Sequence, residues 1–239
     1  NESQMDLIAK KLAMDPIKLR QKNFMHDGDI DPTGEEYSYI KTDETLKRAL
    51  DDAGYQRPKP KNVGRGIALV QWTPAGGIGT VAISLDDKGV ATISSAMADQ
   101  GAGTYKVLSE IVAEELKIPL SQIKIRQLDT QTGVKDTGVG GSRATRVYGN
   151  AGYEAAMKAV AAIKQEAAHQ MGVAADQITI ANGAALHPRM ERRLTYGEIV
   201  KAKGAPIAVD ATFNDNSKIH AASMCVQVAE VEVDPATGQ

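Results

Sequence analysis

The chain has 239 residues, with 28 lysines and arginines against 30 aspartates and glutamates, for a formal net charge of −2. That balance gives no electrostatic footprint for nucleic acid or an anionic membrane, and no apolar run approaches the roughly 20 residues needed to span a bilayer. One cysteine, Cys225, excludes an internal disulfide framework, a cysteine-ligated iron–sulfur cluster and a four-cysteine zinc site, and it fits a reducing compartment, with the cytoplasm as the expected location.

Apolar residues at Met5, Ile8 and Leu12, then at Ile17, Leu19 and Phe24, predict two short helices broken at "MDP", where Asp15 caps and Pro16 takes the first helical position. The acidic loop "HDGDIDPTGEE" lacks the spacing of a calcium hand and reads as solvated surface. A helix follows over 43–53, and "GYQRPKPKNVGRG" reads as a linker, which places a boundary near residue 60. Beyond it, "RGIALVQW", "GTVAISL" and "VATISSAM" are β-branched runs, the last two joined by the turn "DDKG", and predict antiparallel strands. Helix (104–116), strand (123–128), long helix (143–170) and strand (177–180) come next. A short helix with a glycine stop in "LTYGEIVKAKG" then leads to the strands "IAVDATF" and "MCVQVAEVEVD". Cys225, in the last of these, is expected in the core. The class is α+β, with packed helices on a mixed or antiparallel sheet. The ending "VDPATGQ" is turn chemistry that normally feeds another strand, so the chain is expected to be a fragment of a longer polypeptide.

Two glycine-rich helix entrances stand out. "ADQGAGT" precedes the helix at 104–116, and "TGVGGSRAT" precedes the long helix, with Ser142 as its candidate cap. The first turn of a helix leaves N–H groups without internal partners, and glycines let an anionic or hydrogen-bonding ligand approach them. Gln100 and Thr104 can add side-chain hydrogen bonds, and Arg143 and Arg146 can pair with a phosphate or simply solvate a helix end. The competing reading of the first loop is a tight turn with Thr104 as cap. Asp99 and Asp129, beside the loops, suit orienting backbone donors better than acting as bases. On the long helix Val147, Ala151, Ala155, Ala159 and Ile163 share one face, and Gly149 and Gly152 suggest close packing there.

Other chemistries lack their residues. His26, His169, His187 and His220 are scattered, with no HExxH pair. GxGxxG is absent, and "GVGGSRAT" lacks the lysine of GxxxxGK[ST]. Trp72, Phe24 and Phe213 form no aromatic row for stacking bases.

"ADQGAGTYKVLSEIVAEELKIPLSQIKIRQLDT", followed by "VGGSRATRVYGNAGYEAA" and "VAEVEVDPATG", resembles the molybdenum-binding subunit of the xanthine dehydrogenase/aldehyde oxidase family, and so does "NESQMDLIAKKLAMDPIKLRQKN" at the N-terminus. The resemblance implies a helical segment over 1–60 and part of a molybdopterin-binding α+β domain over 61–239. It implies a molybdopterin cofactor, in prokaryotes commonly the cytosine dinucleotide form, contacted by Gln100, Gly101, Ala102, Gly103 and Thr104 and by Gly141, Ser142, Arg143, Ala144 and Thr145. Iron–sulfur clusters and flavin (FAD) are expected on other domains or subunits, and the remaining molybdopterin-binding segments elsewhere. The implied reaction is hydroxylation of a small aldehyde or N-heterocycle with oxygen from water. Departures are Ala102, where the family has glutamine, and Lys106, where threonine is usual. The GGxFGGK, AYRGxG and GVGE motifs are absent from this chain, so no catalytic or metal-ligating residue is assigned and the chain alone is expected to be inactive. The alternative is a structural or interaction module that keeps the fold without the cofactor.

Overall fold

The computed structural model describes residues 1–32, 34–129, 131, 137–216 and 222–239. It forms two compact units, one of residues 1–74 with 217–239 and one of residues 75–216. These units are drawn differently from a division at residue 60. The strand that follows the linker pairs with the last strand of the chain and takes it into the first unit.

In the first unit, α1 (Glu2–Lys11) and α2 (Pro16–Gln21) form the expected helical hairpin. Asp15 Oδ1 accepts from the N–H groups of Ile17 and Lys18 at 2.7 and 3.1 Å, and Pro16 sits at the first helical position. Arg20 on α2 is buried and ties the hairpin together. Its Nε donates to Glu2 at 2.9 Å and its Nη1 to Asp6 at 2.8 Å. Burial opposes the guanidinium charge, but these two carboxylates outweigh it and leave its pKa above the ordinary arginine value. Helix α3 (Thr42–Asp52) packs Leu46 with Ile17 and with Ile67 of β1 (Val63–Trp72).

The second unit opens with a hairpin of β2 (Gly77–Leu85) and β3 (Ala91–Ser95), whose turn is closed by Asp86 Oδ1 accepting from Lys88 and Val90 N–H, each at 2.9 Å. A helical crossover, α4 (Thr104–Leu116), returns the chain to β4 (Ile123–Gln127) parallel to β3. The long helix α5 (Gly149–Met171) then crosses the sheet. Val147, Ala151, Ala155, Ala159 and Ile163 are all buried, as the shared-face reading expected. A small antiparallel sheet of β5 (Thr179–Ala181), β6 (Ala184–His187) and β7 (Arg192–Thr195) leads into α6 (Tyr196–Lys203), which ends at Gly204 in the left-handed region. Strand β8 (Ile207–Asp215) completes a mixed sheet of order β4-β3-β2-β8. The class is α+β, as expected.

Strand β9 (Ser223–Glu232) lies in the first unit, antiparallel to β1 in a two-stranded ribbon. Cys225 is exposed there, not in the core. Strand alternation turns Met224, Val226 and Val228 to the half-buried face, so the residue between the first two faces outward. The "DPATG" turn forms after it, with Gly238 N–H donating to the Asp234 carbonyl at 2.7 Å.

Candidate functional site: two donor-rich helix entrances

Between β3 and α4 the chain passes through the left-handed region at Gly101 (φ +87°) and at Gly103 (φ +75°), which is the N-cap of α4. Two side chains fix this loop. Asp99 Oδ1 accepts from Gly101 N–H at 2.9 Å, and the Tyr105 hydroxyl donates to the Met97 carbonyl at 3.0 Å. Asp99 therefore orients a backbone donor, as its position suggested. Thr104 does not cap α4, which has no side-chain cap at all; its Oγ1 lies 3.5 Å from the Ala98 carbonyl. As a result the N–H groups of Ala102, Gly103 and Thr104 meet no acceptor among the described residues. A Cβ built at Gly101 or Gly103 would have no atom within 4 Å, so the approach to these donors is open.

The second entrance is built differently. Gly138, Gly141 and Ser142 have φ of +74°, +59° and +58°, and the chain then enters a π-helical turn, Ala144–Tyr148, before α5. Ser142 is not the cap expected of it. A capping residue needs extended backbone so that its oxygen reaches back over the first turn, and Ser142 is left-handed instead. Gly140, Gly141, Ser142, Ala144 and Thr145 present N–H groups with no acceptor among the described residues. Ala75 N–H donates to the Gly141 carbonyl at 2.7 Å, which joins this loop to the segment just before β2. A Cβ at Gly141 would lie 2.5 Å from that of Ala75.

Both arginines at this entrance have their heads committed to protein. Arg143 is only 9% exposed, and its Nε donates to the Gly138 carbonyl at 2.7 Å and its Nη1 to the Gly76 carbonyl at 2.9 Å. Its second terminal nitrogen also reaches Gly138. Arg146 clasps Asp215 at the end of β8 through contacts of 2.6 and 3.1 Å. Phosphate pairing through the N–H groups so engaged would have to displace these bonds.

The two entrances adjoin. Gln100 Nε2 lies 3.5 Å from the Val139 carbonyl, at the outer limit of a hydrogen bond, and thus spans from the first loop to the second. Beneath them Thr104, Val107, Ala144 and Thr145 line a crevice of only about 10 Å³. At most one water fits there, so a ligand held by both loops would rest on their outer rim. A concavity of about 990 Å³ lies at the other end of α4, around Lys117, Gly183 and Gly197. Its walls set Lys88, Lys117, Arg193 and Lys201 against Asp87, Glu110, Glu114 and Glu198, which favours neither sign of ligand charge.

Residues 40–239 match the family model described as the molybdopterin cofactor-binding domain. The chain belongs to that family. Among curated relatives of this molybdopterin-binding chain, the carbon monoxide dehydrogenase large chain of Hydrogenophaga pseudoflava is 30% identical over 199 residues, covering 72% of this chain and 25% of the relative. The molybdenum-binding subunit of an aldehyde oxidoreductase from Escherichia coli is 26% identical over 76% of this chain and 25% of its own length. Among solved structures, quinoline 2-oxidoreductase from Pseudomonas putida 86 aligns over 100% of this chain and 35% of its own, with a TM-score of 0.68 at 20% identity. Aldehyde oxidoreductase from Desulfovibrio gigas aligns with the same TM-score at 24% identity, over 99% of this chain and 26% of its own. The last two establish the fold. The chain spans roughly a quarter to a third of the length of these relatives.

Three features of this molybdopterin-binding fold escaped sequence reasoning. One is the "PAGG" approach to β2, whose Ala75 and Gly76 hold the second loop; the adjacent glycines were the available signal. Another is the Tyr105 hydroxyl, which nothing in its spacing marks. The last is the use of Arg143 as an internal donor, since a sequence cannot say which carbonyls will surround a guanidinium.

Proposed function

We propose that the two entrances together hold the anionic, hydrogen-bonding part of a molybdopterin, in its cytosine dinucleotide form, within a longer polypeptide. The observation that carries this is the adjoining set of open backbone donors at Ala102, Gly103 and Thr104 and at Gly141, Ser142, Ala144 and Thr145. Such donors suit the group: they are oriented by the fold, and they bind an anion without the desolvation cost of burying lysines. Gln100 can present its amide from the rim, Gly101 offers open approach, and Arg143 belongs to the site through the loop it holds. When bound, the cofactor supplies the redox and oxygen-transfer chemistry, and these residues bind and orient it.

On this reading the intact protein is a molybdenum-dependent oxidoreductase of the cytoplasm that hydroxylates a small aldehyde or N-heterocycle with oxygen from water. Residues 61–239 carry its cofactor contacts, and residues 1–60 form a helical segment. Other segments complete the cofactor site, and iron–sulfur and flavin domains or subunits take the electrons. The chain by itself has no activity.

Ala102→Asp tests the site. The residue is exposed, so the fold tolerates the change, while the new carboxylate competes for the donors and repels a phosphate. In the intact protein, bound molybdenum and pterin are expected to fall about tenfold with the melting temperature unchanged, as a loss near 1.4 kcal/mol would produce. Unchanged cofactor content would instead mean that the cofactor is held elsewhere than at this entrance, and absence of cofactor from the unaltered protein would favour the module reading.

A further inference from the structure

The geometry assigns Arg143 a role as positioning residue: its buried guanidinium fixes the shape of the second glycine loop and thereby keeps that loop's N–H groups turned outward. The assignment rests on the reading of the loops as a cofactor site. The sequence presents Arg143 as a cation at a helix entrance, available to a phosphate. The structure turns that cation inward, onto carbonyl groups.

From Gly138 to Ser142 the loop contains three left-handed residues and belongs to no helix or strand. Its backbone bonds include the Ala75 N–H on the Gly141 carbonyl and a long bond of 3.4 Å from Arg143 N–H to the Gly140 carbonyl. The Tyr148 hydroxyl adds a contact of 3.4 Å to Gly138. Against these, the Arg143 fork makes short, charge-assisted bonds to Gly138 in the loop and to Gly76 before β2, stretches of chain also joined by Ala75 N–H on Gly141 and by the Thr137 hydroxyl on the Ile78 carbonyl at 3.0 Å. A planar fork can satisfy both carbonyls at once. An ammonium on a flexible stem cannot hold both in that geometry.

Across a peptide bond the carbonyl and the following N–H point opposite ways. The guanidinium holds the Gly138 carbonyl while Arg143 N–H and Ala75 N–H hold those of Gly140 and Gly141, so the N–H groups of Gly141 and Ser142 face away from these donors and meet no acceptor among the described residues. The three guanidinium donors engaged by Gly76 and Gly138 are spent on the loop, and through the loop they shape they act on the ligand.

The test uses the intact protein with Arg143→Met and Arg143→Lys, produced both with and without cofactor. Amide exchange at Ala75, whose N–H is bonded to Gly141, reports the loop, and molybdenum and pterin content report the site. A positioning role predicts that both variants speed Ala75 exchange at least tenfold in cofactor-free protein and lower cofactor content by a similar factor, lysine giving no rescue. Wild-type cofactor content in Arg143→Lys would overturn the proposal, since it would mean that charge alone suffices. Unchanged Ala75 exchange in that variant would overturn it as well. If Arg143→Met does not fold, Arg143→Lys decides. Ala102→Asp serves as the separate control: if it keeps its cofactor, the reading of the loops fails whatever Arg143 does, whereas its loss beside normal Arg143 variants sinks only the positioning role.

Discussion

Leu108 and Gly152 meet where α4 and α5 cross, and a Cβ at Gly152 would fall 2.4 Å from Leu108 Cδ1. Leu108 is buried, so its methyl has nowhere to go. This contact sets the approach of the two helices whose entrances form the site. Gly152→Val is expected to cost about 1–3 kcal/mol by overpacking and to lower the midpoint of denaturant unfolding. Leu108→Ala in the same chain should recover part of that loss, and a lack of recovery would mean that the strain lies elsewhere.

Gly141 and Gly101 share a left-handed backbone but not a neighbourhood. At Gly141 a Cβ would overlap Ala75, while at Gly101 it would meet nothing. Gly101→Ala is therefore expected to cost only the backbone term, about 1–2 kcal/mol. Gly141→Ala adds a packing conflict of about 1–3 kcal/mol. Chemical unfolding of both variants checks the order, and equal losses would contradict the tight approach of Ala75.

Tyr196 is buried, and its hydroxyl donates to the Leu116 carbonyl at 2.6 Å. Burial raises its pKa well above the ordinary phenol value of 10.0. A group whose folded pKa is raised contributes stability that is fully present below the unfolded value and is lost as pH climbs from about 10 toward the folded one. Stability should thus fall on the alkaline side, and Tyr196→Phe should flatten that fall while costing about 1–2 kcal/mol at neutral pH for the orphaned carbonyl. A pH series of unfolding midpoints for both proteins measures this.

Glu198 closes the N-terminus of α6, accepting from Thr195 N–H and from the Thr195 hydroxyl, each at 2.7 Å. These bonds, the backbone one first, hold its pKa below the ordinary glutamate value. The contribution is present above the unfolded pKa and disappears as pH falls through the lowered folded one. Carboxyl chemical shifts followed by NMR should show Glu198 titrating below 4.5. Thr195→Ala should move it back up, and an unmoved titration would refute the cap.

The sequence announced the elements where local chemistry decides them. Asp15 and Pro16 started α2, "DDKG" closed the β2–β3 turn, and the small face of α5 proved to be a helix contact. It misled where the outcome depended on the far side of the fold. Ser142 looked like a cap because serine usually is one, but the turn needed a left-handed residue there. Cys225 looked apolar and central, yet the two-stranded ribbon leaves that register position facing out. Arg143 was legible as a cation at an entrance and illegible as a donor to Gly76, a residue 67 positions away in the chain.

The most direct measurement is the molybdenum and pterin content of the intact protein purified from a host that makes the cofactor. The account predicts close to one of each per polypeptide, falling sharply with Ala102→Asp. A folded protein from that host with neither metal nor pterin would contradict it.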